Sequence, residues 1–223
     1  MTNEKRRNDI TELVFILDRS GSMSGLESDT IGGFNALLEK QKKEPGACCV
    51  TTVLFDHEQI TLHDRVPISE IRPLTERDYA PRGSTALLDA VGSTILHIAR
   101  IHRYARPEDV PARTLFVITT DGMENASRHY TADQVRQLVQ HEQDKYGWEF
   151  LFLGANLDAV ETASRIGIRA DRSANYNADG LGTGVLYESV SKAVSQVRAC
   201  APLSASWRED VDRDFKKRGK RSR

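Results

Sequence analysis

At 223 residues, with 39% hydrophobic and 28% charged side chains, the chain is long enough to bury about 70% of its unfolded surface, so its core needs no disulfide or metal staple. The net charge is −1, but Phe215 to Arg223 holds six of the 31 basic residues and none of the 32 acidic ones, leaving residues 1–214 at −7. An acidic body argues against nucleic acid as a main ligand, and only the basic tail offers such contact.

Three cysteines, an odd number, make no disulfide framework and point to a reducing compartment. Cys48 and Cys49 are adjacent on an expected strand, so they face opposite ways and read as core and surface thiols. No apolar signal region follows the charged start, and no apolar run approaches the roughly 20 residues of a membrane span. The expectation is a cytoplasmic protein without membrane contact.

In chain order, Leu13-Val-Phe-Ile-Leu17 is an apolar run that fits a strand covered on both faces, although periodicity alone does not exclude a short helix. Leu26, Ile31, Phe34, Leu37 and Leu38 follow helical spacing up to Lys43, before Pro45-Gly46. The Gly32-Gly33 pair in that helix suggests close backbone packing against the sheet. Cys48–Phe55 and Ile60–Val66 read as a strand and an antiparallel edge partner joined through Asp56–Gln59. His57 and His63 fall in this hairpin without zinc-site spacing, and are expected on the surface.

Ile68–Asp78 is a charged connector with room for one helical turn. Leu88, Val91, Ile95 and Ile98 then mark a helix opened by Gly83-Ser84-Thr85, and His102–Pro111 is a polar excursion. Thr114–Thr120 is a second buried strand pattern, and Thr131-Ala-Asp-Gln134 is a capping box ahead of Val135, Leu138 and Val139. Trp148–Leu153 is a third buried strand, Asn156 starts a short helix ended by Gly167, and Ser173–Tyr176 is a last short strand. Leu186, Val190, Ala193, Val194 and Val197 make an amphipathic helix. Gly180-Leu-Gly-Thr-Gly184 lacks the Gly-Lys-Ser/Thr ending of a nucleotide loop and reads as a flexible helix start.

Strands alternating with helices imply an α/β fold: a doubly wound, mostly parallel sheet with one antiparallel edge strand and helices on both faces. Residues 8–204 are read as this domain, 1–7 as an N-terminal tail, and 205–223 as a disordered basic tail.

The chemistry gathers where strands end. After Leu17, Asp18, Ser20 and Ser22 recur at every second position, so locally extended backbone sends three oxygens to one side, and Gly21 lets the loop curl. Such a triplet occurs by accident in about one chain in twenty of this length, so its neighbours must decide. Thr120 runs into Asp121-Gly122, the same strand-then-carboxylate layout, and ligands of open α/β sheets bind beyond the carboxyl ends of parallel strands. Thr85 reads equally as a helix N-cap or as a further oxygen ligand. An all-oxygen set suits Mg²⁺, with Mn²⁺ or Ca²⁺ next, rather than Zn²⁺.

Asp18-x-Ser20-x-Ser22, Gly83-Ser84-Thr85 and Thr119-Thr120-Asp121-Gly122, in this order, resemble the von Willebrand factor type A domain and its metal-ion-dependent adhesion site. The resemblance covers about Asn8 to Ala201. It implies that Ser20, Ser22 and Thr85 supply hydroxyl ligands, and that Asp18 and Asp121 hold the ion directly or through water. It also implies a non-enzymatic module that captures a Glu or Asp of a protein partner through the metal. Phe55-Asp56 and Phe152-Leu-Gly-Ala-Asn156 look more like bacterial cytoplasmic members, including those of tellurium-resistance and stress gene clusters. The alternative is an Mg²⁺-dependent hydrolase or phosphotransferase with Asp18 as phosphoryl acceptor, although Ser20 stands where such phosphatases place an acid/base Asp.

Overall fold

The computed structural model describes residues 9–155 and 158–218. Strands β1 (Thr11–Asp18), β2 (Cys48–Phe55), β3 (Gln59–Pro67), β4 (Arg113–Thr120), β5 (Glu149–Gly154) and β6 (Ser173–Asn175) form one sheet in the order β3-β2-β1-β4-β5-β6. All neighbours pair in parallel except β2 and β3, which form the antiparallel edge. The apolar run is therefore the central strand. Leu13, Phe15 and Leu17 face one layer and Val14 and Ile16 the other, as a period of two requires.

Helices α1 (Glu27–Gln41) and α5 (Gly180–Arg198) cover the first layer through Phe34, Leu37, Leu186 and Val190. Helices α2 (Leu87–Tyr104), α3 (Ala132–Tyr146) and α4 (Ala159–Arg165) cover the second through Val91, Ile95, Val135 and Ala163. The chain leaves β1 to one side for β2 and later returns to its other side as β4. Strand order thus reverses between β1 and β4, which sets their carboxyl ends around one crevice.

Several expectations need correction. Helix α2 runs on through His102 to Tyr104, where Ala105 turns extended ahead of Pro107; His102 Nε2 is held there by the buried Glu12 carboxylate. Thr85 is not the cap of α2: Ala86 occupies that position, and the Leu88 and Asp89 amides donate to Glu124 and Ser127 at 2.9 and 3.0 Å. The connector after Ile68 does hold one helical turn, closed by the Tyr79 amide donating to the Thr75 carbonyl at 3.0 Å. Gly33 packs against a helix rather than the sheet, since a Cβ there would lie 2.3 Å from the Tyr187 ring of α5. His63 is buried, with Nδ1 3.1 Å from Thr52 Oγ1, because its position on β3 faces inward. Asn156 lies outside the described residues, and Asp158 caps α4 by accepting from the Glu161 amide at 3.0 Å.

Residues 205–218, read as part of a disordered tail, are helical instead. One turn, Ala205–Arg208, leads into α6 (Glu209–Arg218), which docks on α5 because Trp207 and Val211 are apolar and buried. Charged groups tie its far end down, with Arg218 donating to Asp214 Oδ1 at 2.6 Å and to Asp179 Oδ2 at 2.5 Å. Asp179 is itself the N-cap of α5, so the glycine-rich stretch is the first turn of that helix. Burial pushes the Cys48 thiol up to about 11 and Cys49 up to about 12, so neither is a thiolate near neutrality. Among the described residues no helix is long and apolar enough to cross a membrane.

Candidate metal centre

The parallel register of β1, β2 and β4 sets Asp18 opposite Phe55 and Leu17 opposite Thr119, so Asp18 and Asp121 leave adjacent strand ends. Asp18 is buried with both carboxylate oxygens engaged: Oδ1 accepts from the Ser20 amide at 2.6 Å and Oδ2 from Thr120 Oγ1 at 2.5 Å. The first bond curls the chain just past β1 in an Asx-type turn, which aims Ser20 and Ser22 back towards the strand ends. Ser20 Oγ lies 3.1 Å from Ser22 Oγ, and Ser22 Oγ donates to Asp121 Oδ1 at 2.5 Å. Ser20 is buried while Ser22 is exposed, so the cluster opens to solvent on the Ser22 side.

Thr85 comes from a distant loop and is held by two neighbours. Gly21 N donates to the Gly83 carbonyl at 3.1 Å, stitching the serine loop to residues 82–85. The Thr85 amide donates to Asn125 Oδ1 at 2.9 Å, and the Thr85 carbonyl accepts from the Asn125 amide at 3.1 Å. Gly122 shows the result: a Cβ there would sit 2.8 Å from Thr85 Oγ1, 3.1 Å from Ser22 Oγ and 3.7 Å from Ser20 Oγ. Three hydroxyls therefore surround one point beside Asp121. All five positions singled out in the sequence meet in this cradle.

The electrostatics have one sign. Burial raises the Asp18 carboxyl above its usual range, with the Asp121 charge adding to the effect, and burial also raises Asp121. Two desolvated carboxylates beside three neutral hydroxyls form an all-oxygen donor set that fits a small hard cation. Thr120, Asn125 and Tyr79, which donates to the Asp18 carbonyl, were not singled out in the sequence. Thr120 alone carried a signal, as the hydroxyl immediately before the second carboxylate.

Asp56, His57 and Glu58 also bring three ligand atoms within 4.8 Å of one another. Asp56 is already neutralised, with Oδ2 lying 2.9 Å from Arg19 Nε and 3.0 Å from Arg82 Nε. His57 is exposed, as expected from the sequence.

No family model and no curated protein matches the chain. Solved structures do resemble it. Proximal thread matrix protein 1 from the mussel byssus, with a zinc-occupied MIDAS motif, superposes with a TM-score of 0.57 at 15% identity, covering 83% of this chain and 46% of that one. The von Willebrand factor domain of the type V pili tip protein Mfa5 from Porphyromonas gingivalis gives 0.58 at 11% identity, covering 82% and 94%. A von Willebrand factor type A protein from Catenulispora acidiphila gives 0.55 at 13% identity, covering 83% and 42%. The chain thus spans less than half the length of the mussel protein. At these identities the likeness is one of fold, and the fold is that of the von Willebrand factor type A domain.

Proposed function

We propose that the chain is a divalent-metal-dependent protein-binding module, an adaptor or scaffold, in which Asp18, Ser20, Ser22, Thr85 and Asp121 hold Mg²⁺, with Mn²⁺ or Ca²⁺ as alternatives. When bound, the ion supplies an electrophilic position that a Glu or Asp of a partner protein completes. The protein's own residues prepare that position. The Ser20 amide and Thr120 fix Asp18 from behind, Asn125 fixes Thr85, and Ser22 leaves the cluster open to solvent.

The observation that carries this reading is the convergence of the Thr85, Ser22 and Ser20 hydroxyls on Gly122 beside Asp121. A non-catalytic role is supported by Asp18 itself, whose two engaged, buried oxygens are poorly placed to attack phosphorus. A cytoplasmic setting is supported by Cys48, Cys49 and Cys200, all of them free thiols. Kinship with the tellurium-resistance and stress-associated bacterial members rests on the Phe55-Asp56 and Phe152–Asn156 segments alone.

The test is calorimetric titration of metal-free protein with Mg²⁺ and Mn²⁺, beside Asp18→Ala and Thr85→Ala, with circular dichroism to establish folding. Saturable binding to the wild type that both variants lose is the expected result, followed by chelator-sensitive retention of an acidic partner. Folded wild type that takes up neither ion at millimolar concentration would overturn the proposal.

A further inference from the structure

The cradle draws its hydroxyls from two loops far apart in sequence, residues 19–22 after β1 and residues 82–85 before α2. Two backbone bonds join them: the Arg82 amide donates to the Arg19 carbonyl at 2.9 Å, and the Gly21 amide to the Gly83 carbonyl at 3.1 Å. Gly21, Arg82 and Gly83 are all exposed, and backbone bonds open to solvent break readily. A firmer tie lies beneath them.

That tie is Asp56, which follows β2 and is fully buried. Its Oδ2 lies 2.9 Å from Nε of Arg19 in the first loop and accepts from Nε of Arg82 in the second at 3.0 Å. One buried oxygen therefore bridges a side chain from each ligand-bearing loop. The Glu58 amide donates to Asp56 Oδ1 at 2.7 Å and the Ala86 amide to the Asp56 carbonyl at 2.8 Å, so the carboxylate cannot swing away. Arg19 is itself buried, and a buried guanidinium is stable only beside its counter-ion. With Oδ2 taken up by two cations, Asp56 is a support and not a ligand.

Spacing between the loops matters because divalent ions differ in what they tolerate. Mg²⁺ is small and demands near-ideal octahedral geometry, whereas the larger Ca²⁺ accepts looser and more numerous oxygens. Loops that cannot part favour the smaller ion. Resting on the metal reading above, we propose that Asp56 is a positioning residue: through Arg19 and Arg82 it fixes the serine loop against the Thr85 loop and so sets a preference for Mg²⁺ over Ca²⁺.

The test is calorimetry of the metal-free full chain with Mg²⁺ and separately with Ca²⁺, on wild type, Arg82→Ala, Arg82→Lys and Asp56→Asn. Hydrogen exchange at the amides of residues 21 and 82 is followed before metal is added. Arg82→Ala takes a positive charge away from the neighbourhood of a cation, so charge alone would tighten both ions. The latch requires the opposite: about a tenfold loss for Mg²⁺ against about twofold for Ca²⁺, the former typical of groups that orient metal ligands. Exchange at both amides should quicken, and Arg82→Lys, which keeps a cation within reach of Asp56, should restore part of the ratio. Asp56→Asn should narrow that ratio as well. If it fails to fold, Arg82→Ala decides, because the Arg82 side chain is 48% exposed and its removal opens no core. Glu58→Gln disturbs the other partner of Arg82 and leaves Asp56 in place, so it should keep the wild-type ratio. A wild type that prefers Ca²⁺, or a ratio that Arg82→Ala leaves unchanged or raises, would overturn the latch alone. A folded wild type that binds neither ion would overturn the metal reading and the latch together.

Discussion

Gly122 and Thr85 are 37 positions apart in sequence and in contact in space: any side chain on Gly122 would begin 2.8 Å from Thr85 Oγ1. Gly122 has no left-handed backbone requirement, so the constraint is one of space. Gly122→Ala is therefore expected to fold, at a cost of about 1–3 kcal/mol from overpacking, while spreading the three hydroxyls apart. The expected result is at least a tenfold loss of Mg²⁺ affinity by calorimetry, with the far-ultraviolet circular dichroism unchanged. Equal affinity in Gly122→Ala would show that the hydroxyls do not act together.

Thr120 is the concealed support of the cradle. Its hydroxyl is the side-chain donor to buried Asp18 Oδ2, so Thr120→Val leaves a desolvated carboxylate oxygen unpaired. Chemical denaturation of metal-free protein should show a loss of about 1–3 kcal/mol.

Gly33 and Tyr187 form the joint between α1 and α5. A methyl group at Gly33 would meet the Tyr187 ring at 2.3 Å, and the ring is buried with nowhere to retreat. Gly33→Ala gains helix propensity of about 1 kcal/mol but should lose more than that to the clash, giving a net fall in thermal midpoint. Gly32→Ala is the control, since its Cβ would meet nothing within 4 Å, and it should be neutral or stabilising.

Trp207 anchors the C-terminal helix. It is buried, and its Nε1 donates to the Asp171 carbonyl at 3.0 Å. Trp207→Ala should cost about 3–5 kcal/mol by denaturant titration, and α6 should then become susceptible to limited proteolysis.

Acid stability has an identifiable contributor in Asp78. Two bonds from Arg72, at 2.9 and 3.0 Å, together with bonds from Thr75, hold its carboxyl down to about 2 from an ordinary 3.8. A carboxyl depressed in the folded state stabilises it above the unfolded value, and the contribution fades as pH falls from about 4 to about 2. Arg72 is 52% exposed, so screening reduces the effect to about 1 kcal/mol. Asp78→Asn should lower stability by that amount at pH 6, and the difference should vanish near pH 2.

The sequence by itself determined the layers and the donor set. Five apolar residues in a row, too few for a helix of ordinary length, read as a strand covered on both sides, and the alternation of Asp18, Ser20 and Ser22 marked their oxygens as a group, although an Asx turn and a 3-10 turn over Gly21–Met23, not extended backbone, bring them together. Tertiary structure decided whatever depends on contacts between distant segments. Thr85 read equally as a helix cap and as an oxygen ligand; in the fold Ala86 takes the cap position and the Asn125 loop holds the Thr85 hydroxyl beside Gly122. The tail read as disordered because charged residues dominate it, whereas Trp207 and Val211 find a surface on α5 that local composition does not reveal. Asp56 likewise bridges Arg19 and Arg82 only because folding brings both loops to the end of β2, since burial is a property of the assembled fold and not of any one segment.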